Sequence, residues 1–192
     1  MVTSEQIKKI REKTGHSVIE CKNALEKADG DEKKTLKILE KKGKEKANKK
    51  SERETKQGLI EAYIHNNGKI GVILELNCET DFVAKNEEFQ RLAYDIAMQI
   101  AATNPSFLKK EEITEEDQKK AREVFAEEVK DKPEEMREKI LQGKLDSYFK
   151  EKVLLEQSFI KDSEKTINNI IEGAIQKFGE KIEIIKFVRL SI

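Results

Sequence analysis

Apolar positions in the first forty residues recur at helical spacing in three short runs. Ile7 and Ile10 mark the first, with Thr3 or Ser4 available as a cap and Gln6 three residues after Thr3, the spacing of a capping box. Thr14-Gly15 ends that run, and Ser17 with Glu20 repeats the spacing ahead of Cys21, Ala24, Leu25 and Ala28. Asp29-Gly30 turns the chain, and Leu36, Ile38 and Leu39 mark a third helix that Gly43 is expected to stop. The apolar stripe then disappears. Residues 41–56, KKGKEKANKKSERETK, set eight basic residues against three acidic ones. Such a segment reads as a basic linker, or as an extension of the third helix, that does not pack into a core.

Beyond it the period changes to two. Ile60, Ala62 and Ile64 alternate, Asn66-Asn67-Gly68 supplies a turn, and Ile70, Val72, Leu74, Leu76 and Cys78 alternate again, which predicts a β-hairpin. These positions are expected to form one face, and Leu59, Tyr63 and Ile73 share the other with Glu61 and Glu75. After the stretch ETDFVAKN, Asn86 can cap a helix whose stripe is Phe89, Leu92, Ala93, Ile96, Ala97, Ile100 and Ala101, ended by Asn104-Pro105. Residues 114–150 read as two charged helices hinged at Asp131-Lys132-Pro133. Ala121, Val124, Phe125 and Val129 line one arm, and Met136, Ile140, Leu141, Leu145 and Phe149 line the other. Ser163 or Thr166 opens a last helix through Ile167, Ile170, Ile171, Ala174, Ile175 and Phe178, and Gly179 stops it. The closing KIEIIKFVRLSI is a strand on which Ile182, Ile184, Val188 and Leu190 alternate with Glu183, Ile185, Phe187 and Arg189.

The expected fold class is α+β. It comprises an N-terminal three-helix bundle (1–43), a basic linker (44–56) and an α+β core (57–192). In that core a three-stranded antiparallel sheet packs with helices and carries the helical hairpin 114–150. Composition agrees: 40% of residues are charged, tryptophan is absent and there are two prolines, which suits helices with solvated faces. Basic and acidic residues number 38 each, so no global field draws the chain to nucleic acid or an anionic membrane. No apolar run reaches about 18 residues, and MVTSEQIKKIREKTG has neither a secretory apolar stretch nor the acid-poor character of a transit peptide. Cys21 and Cys78 stand in no Cys-x-x-Cys arrangement, which points to a reduced, cytoplasmic setting.

Catalytic constellations are missing. His16 and His65 fall in different predicted units, and no phosphate-cradling glycine loop, zinc spacing or nucleophile elbow occurs. His16 is expected at a surface or loop, and Cys78 as a small core side chain. The chain is therefore expected to be no enzyme and to need no cofactor or metal. Nor do aromatic residues interleave with the basic segment to stack bases, so no nucleic-acid partner is expected. One feature stands out against this background. ELNCETDFVAKN places a phenylalanine directly after a polar pair, at the mouth of a strand-to-helix turn where small polar residues are usual.

IREKTGHSVIECKNAL at 10–25 and ELNCETDFVAKN at 75–86 resemble the two signature stretches of bacterial translation elongation factor Ts. The second match is nearly complete. In the first, Ile10 stands where leucine is usual and Ser17-Val18-Ile19 replaces Gly-Met-Met. The resemblance spans essentially the whole chain, but the duplicated core of longer members is absent, as in the family's short forms. It implies guanine-nucleotide exchange on elongation factor Tu. Phe82 would enter an apolar pocket of that GTPase and displace groups holding its magnesium ion, with Thr80 and Asp81 fixing the approach and Val83 lining its side. Arg11, Val18 and Ile19 would dock the N-terminal bundle on the nucleotide-binding domain. The alternative for Phe82 is inward packing beside Phe89.

Leu59, Tyr63, Ile73, Ile185 and Phe187 form an apolar patch that no remaining segment covers, so a homodimer through this second sheet face is expected. Two other functions fit parts of the pattern. The N-terminal bundle resembles the ubiquitin-associated fold, which would suit a binding adaptor. The 41–56 segment would suit an RNA-associated protein, whose affinity should collapse with salt. An adaptor leaves the aromatic at the turn unexplained.

Overall fold

The computed structural model describes residues 2–65, 68–131 and 133–192. At the N-terminus, α1 (Ser4–Thr14), α2 (Val18–Lys27) and α3 (Glu32–Lys50) bury Ile10, Cys21, Ala24, Leu25 and Leu39 in a small core of their own. Both expected capping boxes form, Thr3 with Gln6 and Ser17 with Glu20, so each helix start satisfies its own free amides. Gly15 ends α1 in the left-handed region, φ 69°, with its N–H donating to the Arg11 carbonyl. Conformation and not space demands glycine there, since an added Cβ would meet Lys177 only at ordinary van der Waals distance.

The helix end expected at Gly43 is corrected: α3 runs through it to Lys50. A glycine inside a helix costs only about 1 kcal/mol relative to alanine, and the turns beyond it gain partners that offset this. Lys46 pairs with Glu20 of α2 at 2.6 Å, Ala47 packs against the main core, and the Lys50 ammonium donates to the Gly179 carbonyl. The basic stretch expected to stay clear of any core is thus, over residues 44–50, a helix fastened to one.

The sheet has the expected three antiparallel strands, in the order β1 (Gln57–Ile64), β2 (Ile70–Cys78), β5 (Ile182–Ser191). Asn66 and Asn67 of the expected turn lie outside the described residues. The register corrects the assignment of faces. Leu59 lies opposite Leu76 and Tyr63 opposite Val72, so the odd positions of β1 share a face with the even positions of β2. Leu59 and Tyr63 therefore turn to the core, and Ile60, Ala62 and Ile64 turn outward. A bulge does the same on β5. Ile184 and Lys186 pair with the consecutive residues Leu76 and Glu75, which leaves Ile185 as the extra residue and inverts the alternation beyond it. Phe187 packs against the core, while Val188 and Leu190 are exposed. Of the five residues expected on the open face, only Ile73 and Ile185 are exposed; Leu59, Tyr63 and Phe187 line the covered one.

After β2 comes one helical turn, α4 (Asp81–Ala84), and then α5 (Glu87–Thr103), which lays Phe89, Ala93, Ile96, Ala97 and Ile100 on the sheet. α6 (Glu115–Glu128) and α7 (Glu134–Lys152) make the helical hairpin, whose expected hinge residue Lys132 lies outside the described residues. Its seam is Ala121, Val129, Leu141 and Leu145. Val124 and Met136, expected on that seam, are 62% and 52% exposed. A second small sheet, β3 (Ser158–Phe159) with β4 (Asp162–Thr166), carries too little apolar patterning to have been expected. Buried Gln99 on α5 ties it down, accepting from the Ile160 N–H at 2.9 Å and donating to the Ser158 carbonyl and Gln157 at 3.1 Å. Finally α8 (Ile167–Phe178), capped by Thr166 and ended by Gly179, buries Ile167, Ile171 and Ile175 against the sheet's covered face. Among the described residues no helix is long and apolar enough to cross a membrane.

The seam assignment has a direct check. Leu141→Ala should cost about 2–5 kcal/mol in urea unfolding that follows the hairpin, whereas Val124→Ala should change stability by less than about 0.5 kcal/mol.

Candidate partner-binding site

The exposed phenylalanine is built by a change of chain direction. β2 ends at Cys78, and Thr80 stays extended (φ −125°, ψ 155°) as the cap of α4, its hydroxyl accepting from the Val83 N–H at 3.5 Å. Successive side chains on a helical turn diverge by about 100°, so neighbours cannot both point inward. Val83 is buried in the main core, and Phe82 projects with 83% of its surface exposed. Inward packing beside Phe89 does not occur; Phe89 instead meets Phe178 edge-on at 6.1 Å.

The turn rests on a polar framework. The Glu180 carboxylate accepts from the backbone N–H groups of Glu79 and Thr80 at 3.1 and 3.0 Å and from the Thr80 hydroxyl at 2.6 Å. Glu79 in turn accepts from the Lys181 N–H at 2.5 Å and pairs with Arg53 at 3.2 Å. The Lys181 amide, ahead of Arg53, holds the Glu79 carboxyl below the usual carboxylate range. On the outer side Asp81 pairs with Lys85 at 2.7 Å, and that ammonium likewise lowers the Asp81 carboxyl. Beneath the turn, burial and then the nearby Glu180 charge push the Cys78 thiol up to about 11, so it is an uncharged donor, 3.1 Å from the Thr80 carbonyl. Its expected role as a core side chain stands.

The second group lies at the α1–α2 turn. Arg11 is exposed near the end of α1, and Val18 and Ile19 open α2 with 52% and 71% of their surfaces exposed. Glu20 points the other way, to Lys46 and to Gln176 of α8. Burial alone would raise the Glu20 carboxyl, but Lys46 and Ser17 outweigh it and hold the group at about 2. His16, expected at the surface, is buried, because the turn that carries it packs onto α8; burial lowers its pKa. The two groups of site residues are joined through the end of α8, where Lys177 lies beside Gly15 and Glu180, just past the Gly179 cap, holds Thr80. Glu79, Glu180 and Lys181 had no signal in the sequence, since a charged residue beside a strand end is ordinary. Among the described residues no group of three or more histidine, cysteine or acidic side chains could hold a metal ion.

The family model described as Elongation factor TS matches residues 2–192. The chain belongs to the elongation factor Ts family. Similar proteins include the Elongation factor Ts of Thermodesulfovibrio yellowstonii, 50% identical over all of this chain and 96% of its own length. That of Fervidobacterium nodosum is 48% identical over all of this chain and 98% of its own, and that of Thermotoga maritima 46% over all and 96%. Family membership makes the chain a translation elongation factor.

The Glu20 contacts yield a pH dependence. A carboxyl depressed when folded contributes stability that is present above its unfolded pKa, about 4.3, and lost as pH falls toward 2. Glu20→Gln should therefore cost about 1.5–3 kcal/mol at pH 7, and the difference from wild type should shrink steadily below pH ~4.3 in thermal melts followed by circular dichroism.

Proposed function

We propose that this chain is the guanine-nucleotide exchange factor of elongation factor Tu, binding its GDP form and promoting GDP release without covalent chemistry or a cofactor, in the cytoplasm. The observation that carries this reading is the Phe82 ring, which the chain's own fold leaves bare on a turn whose Glu79 and Thr80 amides are held by the Glu180 carboxylate. A large apolar ring in water is unfavourable unless another surface covers it. Inserted between elements of the GTPase, it would displace groups that hold the magnesium ion. Asp81, already paired with Lys85, and Thr80, bonded to Glu180, fix the direction of approach; Val83, expected to line the ring's side, is turned into the core and anchors the turn instead. Arg11, Val18 and Ile19 supply a separate docking contact with the nucleotide-binding domain, supported by two exposed aliphatic side chains at one helix start.

Magnitudes set the division of labour. Burying one phenylalanine yields about 1.5–3 kcal/mol, and 1.4 kcal/mol is a factor of about ten. The ring accounts for at most a hundredfold or so of accelerated release; anything beyond comes from docking and the magnesium contacts together. The coupling is reciprocal, so GDP weakens this chain's hold on the GTPase by the factor by which the chain weakens GDP binding. Direction is then set by the cellular ratio of the nucleotides.

The open sheet face supports a second element of the proposal, a homodimer. Ile60, Ile64, Ile73, Ile185, Val188 and Leu190 are exposed side by side on one side of the sheet, and a twofold axis would lay this patch on its own copy.

Release of a fluorescent GDP analogue from elongation factor Tu tests the first part: Phe82→Ala should slow factor-stimulated release about ten- to a hundredfold, and equal rates for both forms would reduce Phe82 to a bystander. Sedimentation tests the second. Wild type should run as a dimer at micromolar concentration and Ile73→Asp as a monomer, and a monomeric wild type would remove the dimer from the proposal.

A further inference from the structure

The Glu180 carboxylate makes bonds that the cap of α8 and the ladder of the sheet do not need. The helix ends on Gly179, whose N–H donates to the Ile175 carbonyl, and β2 pairs with β5 out to Cys78 and Ile182. Glu180 sits between these two features and reaches across to the end of β2. One carboxylate oxygen accepts both the Glu79 and the Thr80 N–H, and the other accepts the Thr80 hydroxyl. Glu79 answers by accepting the Lys181 N–H, so the two segments exchange carboxylates for amides. Lys50, bonded to the Gly179 carbonyl, and Arg53, bonded to Glu79, close the same junction from the end of α3.

The consequence lies in the Thr80 hydroxyl. It carries one proton and two lone pairs. With the proton committed to Glu180, the lone pairs are left for the Val83 N–H, which is the bond that starts α4. The turn's first residue is thereby locked in backbone and side chain alike, and Phe82 follows two residues later. A ring with little packing of its own takes its direction only from the backbone beneath it.

We infer that Glu180 is the positioning residue of the exchange element: through Thr80 it sets the angle at which Phe82 is presented to the GTPase. This rests on the exchange reading above. The ring's exposure and its apolar contact area do not depend on Glu180; its orientation does. Loss of Glu180 should then leave encounter with the partner nearly intact and impair the step in which the ring enters its pocket.

The test uses the full chain with elongation factor Tu carrying a fluorescent GDP analogue, with release measured across a range of factor concentrations. Glu180→Ala should lower the maximal release rate about tenfold or more, as misplacement of a reacting contact does, while the half-saturating concentration moves little. Glu180→Gln should recover most of the rate, because its carboxamide oxygen still accepts two amides and the Thr80 hydroxyl can accept from its NH2. Amide hydrogen exchange on the free chain gives a partner-independent readout. The Glu79 and Thr80 amides should be protected in wild type and Glu180→Gln and unprotected in Glu180→Ala, with Leu74 and Leu76 protected in all three. A wild-type maximal rate in Glu180→Ala overturns the inference, as does a change in half-saturating concentration alone, or protection lost across the whole sheet. Failure of wild type itself to accelerate release is a different result and overturns the exchange reading.

Discussion

The packing of α8 is the interaction on which the other parts of this molecule depend. Its buried stripe of Ile167, Ile171 and Ile175 covers the sheet beside α5, while its outer side receives α3 and the turn between α1 and α2. The N-terminal bundle has a small apolar core, Ile10, Cys21, Ala24, Leu25 and Leu39 among the described residues, small enough that its orientation must come from outside. Glu40 and Lys50 of α3 and Glu20 of α2 supply this by meeting Asn169, Gly179 and Gln176 at α8 and its end. The last turn of α8 then leads directly to Glu180 and the base of the exchange element. One helix sets the relation between the two surfaces assigned to the partner.

On the proposed mechanism, a chain that inserts a ring into another protein must keep that ring out of its own core and still aim it. The two requirements conflict, because aim usually comes from packing. Here they are separated by residue. Val83 gives its surface to the core, and Phe82, about 100° further round the turn, gives none. Aim comes from polar bonds to the backbone of residues 79 and 80. Such bonds are directional and need no contact with the ring, and this is how an exposed aromatic side chain acquires a fixed base.

The sheet shows the same economy on a larger scale. Covering one face with α5 and α8 leaves the other open, and six aliphatic side chains lie exposed there with no element above them among the described residues. Glu75, opposite Ile60, and Lys186 pair at 3.8 Å on that face.

Much of this was legible in the sequence because it is local. Caps at Thr3, Ser17, Asn86 and Thr166, the stripe of α5 and the stop at Gly179 all follow from neighbours within one or two turns; the exposure of Phe82 does not, since the residues alone left inward packing beside Phe89 open. What the sequence could not determine was parity and partnership at a distance. Whether Ile60 or Leu59 faces the core depends on the register of β1 against β2, and whether Phe187 does depends on a single extra residue at Ile185. Both strands carry aliphatic side chains on either face, so alternation alone cannot choose. Likewise α3 continues past Gly43 because Glu20 and Gly179 await its lysines, and Glu180 holds Thr80 because two chain ends meet there. The sequence by itself determined most of the helices and the three strands of the main sheet; the tertiary structure decided which face each strand buries, how far α3 runs, where Phe82 points and what holds its base, since those rest on contacts between residues far apart along the chain.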